Sequence, residues 1–580
     1  MNQPLTTSLT HLESSDLVRR LNESELAYWI RHALVQETAQ ESLLKQERKR
    51  LNRLVAETLE NLYAERLDEF AVRLFQHYDA AGVDAKTMVY AERAGDVAFR
   101  LSAHAEAIAA YKRAFELAQR GEDTTQVIRV MTQLGRAYEL DANYDGALAV
   151  YRGAQTLARE KNNRALELAA LMQLAKVLAV AAMRYDPQQS EKIAREALEL
   201  ARELNDERAQ ARVLWTMMLL NLYGAGGAKE GVQYGEQSLA LARALDWREQ
   251  MAYTLNDLFY TYLNLGDTMR ARAVSQEARA LWRELDNKPM LTDNLNASGM
   301  DHILRGEFDT ACTLAQESRA LCVSIGNRWG ESTSYMIEGY AHLEHGDFIE
   351  ARAAFEACMR AGDPIMVHGP IVMARYELAK MYAYLGDTER GLAIAREALE
   401  RTRNYALDWN AWAYATLAEV EMARGAWDAA EGALREIGDA PPEHFFERML
   451  PAGAVTIVLA QTRRDLRRGD WDAARARLEK MLARVRQSEF EIFLPVTLNQ
   501  MARVFIANDE IEKARHVLAE AESVAETLNL RAARFEIALT RIELEGEGAR
   551  ERVRNARAEL LAYVPMELRD GFLQRVRDDA

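Results

Sequence analysis

Two histidines and a glutamate stand together at His342-Leu343-Glu344-His345. Imidazoles at i, i+3 on a helix can share a metal ion, and an adjacent carboxylate can serve as a general base. The HExxH spacing that brings two rings to one zinc is absent, and His345 directly precedes a glycine. The pair therefore reads as turn-packing or solvent-exposed histidines. Cys322 and His302 have no sequence context that marks a nucleophile and its base. No G-x-S-x-G elbow and no GxxxxGK[ST] phosphate cradle occur in the chain. Carboxylate pairs are plentiful, but in a chain with 28% charged residues they are expected to form ion pairs on helix surfaces. Cys312, Cys322 and Cys358 form no CxxC pair and suit small buried hydrophobes in a reducing cytoplasm. These residue types predict no enzyme, no metal site and no cofactor.

The elements that would position any such groups are helical. Of 580 residues only 10 are proline and 30 glycine, while alanine, leucine, arginine and glutamate, all strong helix formers, dominate. A formal charge of -16 disfavours nonspecific nucleic-acid binding, which draws its affinity from neutralised phosphates. No apolar run approaches the ~20 residues of a membrane span. The segment Met1 to Asp16 lacks the basic and apolar regions of a signal peptide. The expectation is a cytoplasmic chain with neither nucleic acid nor membrane as partner.

A turn recurs every 40 residues: Leu265-Gly266-Asp267, Arg305-Gly306-Glu307, His345-Gly346-Asp347 and Leu385-Gly386-Asp387, with Gly425-Ala426-Trp427 next. Between turns, apolar residues recur at three and four, as Ala379, Tyr382 and Leu385 do before Gly386 and Leu392, Ala395, Ala398 and Leu399 after it. Glycine supplies the left-handed residue at which a helix stops. Upstream, Gly226-Gly227, Met183 to Gln188, Tyr144-Asp145-Gly146 and His104-Ala105-Glu106 keep the register, and Gly469-Asp470-Trp471 and Asn508-Asp509-Glu510 continue it. The 44-residue step from Gly425 to Gly469 holds Pro441-Pro442, so an enlarged loop or bend is expected there.

Small residues lie seven before the turn, at Gly299, Gly339 and Ala379, and open the second helix at Ala271, Ala311, Ala351, Gly391 and Ala430. Aromatics follow the turn at Phe308, Phe348, Trp427 and Trp471. This pattern resembles the tetratricopeptide repeat (TPR) with lengthened helices. The resemblance implies an all-α, right-handed α-solenoid of about eleven hairpins between Thr87 and Leu528. It also implies a concave face lined by residues 13, 10, 6 and 3 before each turn glycine. Counted so, the ligand or partner groove comprises Tyr253, Asn256, Tyr260, Asp293, Asn296, Met336, Tyr340, Tyr376, Lys380 and Trp412, with Met300, Thr333 and Met373 beside them. Tyrosine and tryptophan combine apolar area with a polar handle, as binding surfaces do. Asn256 and Asn296 share one repeat position and could bond a peptide backbone or sugar hydroxyls. Packing between hairpins is the alternative role for all of these side chains.

The N-terminal part departs from the repeat. Tyr28-Trp29-Ile30-Arg31-His32-Ala33-Leu34-Val35-Gln36-Glu37 leads to a basic helix with Lys45, Arg48, Lys49, Arg50 and Arg53, which reads as an ordinary solvated amphipathic face. The order resembles the junction in STAND-class signal-transduction ATPases, including maltose-regulator-like proteins, where such a segment ends the winged-helix part before long TPRs. With no phosphate cradle in the chain, Arg31 and His32 stand as remnant or structural residues, and the chain as part of, or a derivative of, a larger ATPase. The expected organisation is a polar segment at 1–25, a helical linker at 26–86, repeats at 87–440, further repeats at 441–545 and capping helices at 546–580. The implied function is a noncatalytic sensor or scaffold that binds a protein, peptide or small-molecule ligand and relays this to a separate or fused ATPase or effector. A regulatory subunit that docks statically on an enzyme is the alternative.

Overall fold

A computed structural model describes residues 5–21, 27–30, 38–39, 42–101, 103–179, 186–222, 227–365, 369–403 and 407–579. Arg31, His32, Gly226 and the stretch 183–185 lie outside the described residues. The chain forms two compact units, residues 1–173 and 174–580. Each is an all-α solenoid of stacked antiparallel helices. Among the described residues the departure from helix is a short antiparallel hairpin, Val18–Leu21 paired with Ala27–Ile30.

In the first unit the basic helix Lys45–Leu62 packs against Leu67–Ala81, and Asp84–Arg100 follows. Glu60 ties the three together: it accepts from Tyr90 Oη at 2.6 Å, from Lys86 Nζ at 2.5 Å and from Tyr78. Arg50 and Arg53 pair with Glu47 and Glu57 of their own helix at its exposed surface. Hairpins His104–Ala118 with Thr124–Leu140, then Tyr144–Glu160, complete the stack.

A large hydrophobic core runs through the second unit from Met218 to Phe572, with a smaller cluster around Ala379, Leu392 and Val420. Its repeat turns obey local chemistry. Gly266 and Gly386 have φ of +82° and +87°, the left-handed stop that glycine adopts without a Cβ penalty. The next residue caps the following helix: Asp267 accepts from Arg270 N at 3.1 Å and Asp387 from Arg390 N at 3.2 Å. Return turns between hairpins use Asn205, Asp246, Asp286 and Asn529 at positive φ, where a short polar side chain eases the left-handed region.

A simple solenoid contacts only its neighbours in sequence, yet this unit also closes upon itself. Arg484 donates through Nη1 to Leu265 O at 2.7 Å and through Nη2 to Asn264 O. Arg531 Nη1 donates to His345 O at 3.0 Å, and Arg575 Nη1 to Tyr384 O at 2.6 Å. The partners are 186 to 220 residues apart. Each arginine meets the end of a first helix, where the last carbonyls lack partners and the helix dipole is negative. Around these bonds, Arg272 pairs with Glu489 at 2.9 Å, Ile349 N donates to Tyr563 O at 3.2 Å, and Arg352 pairs with Glu567. The late helices Trp471–Gln487, Arg531–Glu545 and Arg569–Asp579 thus rest on the turns of the 40-residue repeat.

The histidine cluster belongs to this seam. His345 Nε2 lies 3.0 Å from Asn529 Nδ2, its ring packs on Phe308 at 5.4 Å, and burial lowers its pKa. Among the described residues no three His, Cys, Asp or Glu converge as a metal site, and no helix is long and apolar enough to cross a membrane.

Candidate functional site

Within the second unit the first helices Arg248–Leu265, Lys288–Leu304, Arg328–His345, Gly369–Tyr384 and Leu407–Ala423 line a half-open cavity of about 290 Å³. It crosses them obliquely. Asp257, Tyr260 and Asn264 contribute from the C-terminal half of the first of these, whereas Trp409 and Trp412 contribute from the N-terminal part of the last. Successive hairpins are rotated, so a straight channel must meet each helix at a different level.

Much of the wall is apolar. Met300, Met336 and Met373 occupy neighbouring helices, Trp409 stacks near Trp412 with ring centres 6.1 Å apart, and Trp329 also contributes. The Pro441-Pro442 irregularity forms the short helix Pro442–Phe446, after which Arg448, Met449 and Leu450 close one side of the cavity. Gly453 makes room for this closure, since a Cβ there would lie 2.8 Å from the Trp412 ring. The break in the period therefore builds part of the cavity wall.

The polar part is acidic. Asp257 accepts from Trp215 Nε1 at 2.7 Å, and Asp293 accepts from Asn256 Nδ2 at 2.8 Å. Burial, then the neighbouring Asp293, pushes the Asp257 carboxyl up to about 7, against the opposing bonds from Trp215 and Asn256. Burial likewise raises Asp293. Two further lining side chains, each under 4% exposed, hold polar atoms without a hydrogen-bond partner: Asn264 Oδ1 and Trp412 Nε1.

Of the ten groove residues expected from the repeat register, Tyr260, Asp293, Asn296, Met336 and Trp412 line this cavity, as do Met300, Thr333 and Met373. The others stand behind or beside it. Tyr253 packs between Trp215 and Trp282, at 5.8 and 4.9 Å. Asn256 is buried and spends its amide on Asp293 and Asn294. Asn296 borders the cavity, yet its amide bonds Gly330 O at 3.3 Å and Ser334 Oγ at 3.0 Å. Tyr376 is buried against Trp412 at 5.1 Å and donates to Trp409 O at 3.1 Å. Tyr340 and Lys380 join a separate buried cluster. There Lys380 Nζ lies 2.9 Å from Glu377 and donates to Thr456 Oγ1 at 3.1 Å. Burial opposes the Lys380 charge, but Glu377, Glu419 and Glu344 outweigh it and raise its pKa. Burial, with Glu377 adding to it, pushes Glu344 up to about 7. Asp257, Asn264, Trp329, Trp409 and Met449 were not assigned by the register, because the oblique path reaches offsets the fixed count omits.

The family model for the MalT-like TPR region matches residues 294–562, and a tetratricopeptide-repeat model matches residues 87–160. The chain carries tetratricopeptide repeats over both matched stretches. Its MalT-like TPR region lies wholly in the second unit and supplies much of the cavity wall, while the other match falls in the first unit. No curated protein matches the sequence. Among solved structures, the APC/C hetero-tetramer Cut9–Hcn1 is similar at 14% identity and a TM-score of 0.49, over 92% of this chain and 95% of that one. A STAND protein with a tetratricopeptide repeat sensor from Pyrococcus horikoshii is similar at 14% identity and a TM-score of 0.40, over 75% of this chain and 58% of that one. The apo quorum sensor NprR from B. thuringiensis is similar at 11% identity and a TM-score of 0.41, over 59% of this chain and 97% of that one.

Proposed function

We propose that the second unit is a noncatalytic sensor module that captures a ligand in its cavity and relays capture to a signalling ATPase or effector through the seam. The observation that carries this reading is Asn264. Its side chain borders the cavity with an unpartnered oxygen, while its own carbonyl accepts from Arg484 across the seam. A ligand that bonds Asn264 would act on the residue that anchors the late repeats. Relay requires that the ligand bind the closed and opened arrays with different affinity, and a shared residue supplies a route for that difference. The apolar wall with few convergent polar groups is the usual make-up of a small-molecule site, and 290 Å³ lies at the small end of such cavities.

Filling the cavity tests the reading. Ala297, 3% exposed in the wall, is changed to Phe. Native mass spectrometry of both full-length chains, purified from the host, should show a retained small molecule on the wild type and none on A297F. An adduct retained equally by a folded A297F chain would place binding elsewhere.

A further inference from the structure

The break in the 40-residue period leaves one wall of the cavity on a strap rather than on a full repeat helix. The strap runs from Gly438 to Leu450, between the helices Trp427–Ile437 and Pro451–Arg468. Its root is pinned: Gln461 Nε2 donates to Gly438 O at 2.8 Å, and Arg464 Nη2 to Asp439 Oδ1 at 2.8 Å. Glu443, halfway along, makes an exposed pair with Lys480 at 3.4 Å, a contact of small worth. Beyond it Phe446 is buried, and the next turn supplies the lining residues Arg448, Met449 and Leu450. This buried tip meets a seam residue. The Arg484 guanidinium lies over the Phe446 ring, 5.7 Å from its centroid. The same guanidinium donates to Leu265 O and Asn264 O at the end of the helix Arg248–Leu265. Gly266 makes room for it, since a Cβ there would lie 2.8 Å from Arg484 Cζ. One side chain therefore grips both the strap and the helix that brings Asp257, Tyr260 and Asn264 to the lining.

We propose that the strap is a gate over the half-open cavity and that Arg484, stacked on Phe446, is its latch. The inference rests on the cavity being the ligand site proposed above, and it concerns how that site is entered and left. The other walls are long helices packed on both neighbours in the array, so the strap is the wall with the fewest ties to break. Swinging its tip outward parts Phe446 from Arg484 and carries Met449 and Leu450 off the lining. A cation–π contact shielded from water holds more strongly than an exposed one, which suits a latch better than the Glu443–Lys480 pair does. Because Arg484 also holds the carbonyls of Asn264 and Leu265, opening the gate and loosening that helix end act on one guanidinium. Gates of this kind set the rates of capture and release, since a ligand passes them in both directions.

The test uses N-phenyl-1-naphthylamine, a neutral apolar dye that brightens on leaving water, mixed with the full chain in a stopped-flow fluorimeter. Phe446→Leu removes the ring face and keeps the Arg484 bonds to the seam; Arg484→Ala removes the cation. Each should raise the association and dissociation rates together by about tenfold, the rate equivalent of losing one desolvated cation–π contact. For F446L the equilibrium affinity should stay within about threefold, because a gate alters passage and not the occupied site. The double variant should be no faster than the faster single variant, as one latch can be opened only once. Arg575→Ala, which cuts a seam bond away from the strap, should leave both rates as in the wild type. Unchanged rates in F446L and R484A, multiplied effects in the double variant, or an equal acceleration in R575A would each overturn the latch while the cavity stands. Dye that binds A297F as it binds the wild type, or binds neither, would remove the cavity reading and the gate with it.

Discussion

Gly386 and Gly425 occupy equivalent turns, at φ of +87° and +76°, yet only one lies in the seam. Replacing either by alanine forces a Cβ into the left-handed region, at about 1–2 kcal/mol. At Gly425 nothing stands within 4 Å of that Cβ, so the conformational cost is the whole effect. At Gly386 the same atom would lie 2.5 Å from Gly571 O and 2.6 Å from its carbonyl carbon, which are backbone and cannot swing aside. Overpacking of this kind adds about 1–3 kcal/mol. G386A should therefore destabilise the second unit by about 2–5 kcal/mol and G425A by about 1–2 kcal/mol. Urea denaturation followed by circular dichroism gives the two values. Hydrogen exchange supplies the local reading: amides of the Arg569–Asp579 helix should exchange faster in G386A and unchanged in G425A. In an array that couples only neighbouring repeats, the two substitutions would be equal. Equal destabilisation, with no change at the terminal helix, would refute the self-closing seam.

Arg531→Ala removes the bond to His345 O and the guanidinium stacked 4.0 Å from the Tyr563 ring, and should cost about 1–3 kcal/mol in the same denaturation assay. Trp412→Ala empties a buried site that carries Tyr376 and Trp409; a loss of about 3–5 kcal/mol is expected, and a loss under 1 kcal/mol would contradict its placement. Asp257 has a folded pKa of about 7, above that of an unfolded aspartate, so the folded chain holds the extra proton between about pH 4 and 7. Stability from this group is greatest at low pH and falls as pH rises through 7. D257N should therefore gain stability relative to wild type on going from pH 4 to pH 8, and a pH-independent difference would show that Asp257 is not raised.

The sequence carried the local fold in full view. The 40-residue glycine turns, the Asp caps after them and the small residues at the helix crossings are short-range requirements, each satisfied within one hairpin. Offsets 13, 10 and 6 before the glycine reached Asp293, Asn296, Met300, Met336 and Trp412 because those positions follow from helix geometry alone. The seam was hidden for the opposite reason. Arg484, Arg531 and Arg575 look like ordinary helix-surface arginines, and their partners lie 186 or more residues away. Trp409 and Asp257 escaped because a rotating stack shifts the lining along successive helices, which a fixed offset cannot follow. Pro441-Pro442 announced a bend, but only the folded chain brings Met449 against Trp412.

Hydrogen exchange of the full chain, with and without the small molecule retained from the host, puts capture and relay to one test. Slower exchange is predicted in the cavity helices Arg248–Leu265 and Leu407–Ala423, together with a change in exchange at Trp471–Gln487, which carries Arg484 across the seam. Protection absent from the cavity helices, or confined to them with Trp471–Gln487 unaltered, would contradict a ligand site coupled to the seam.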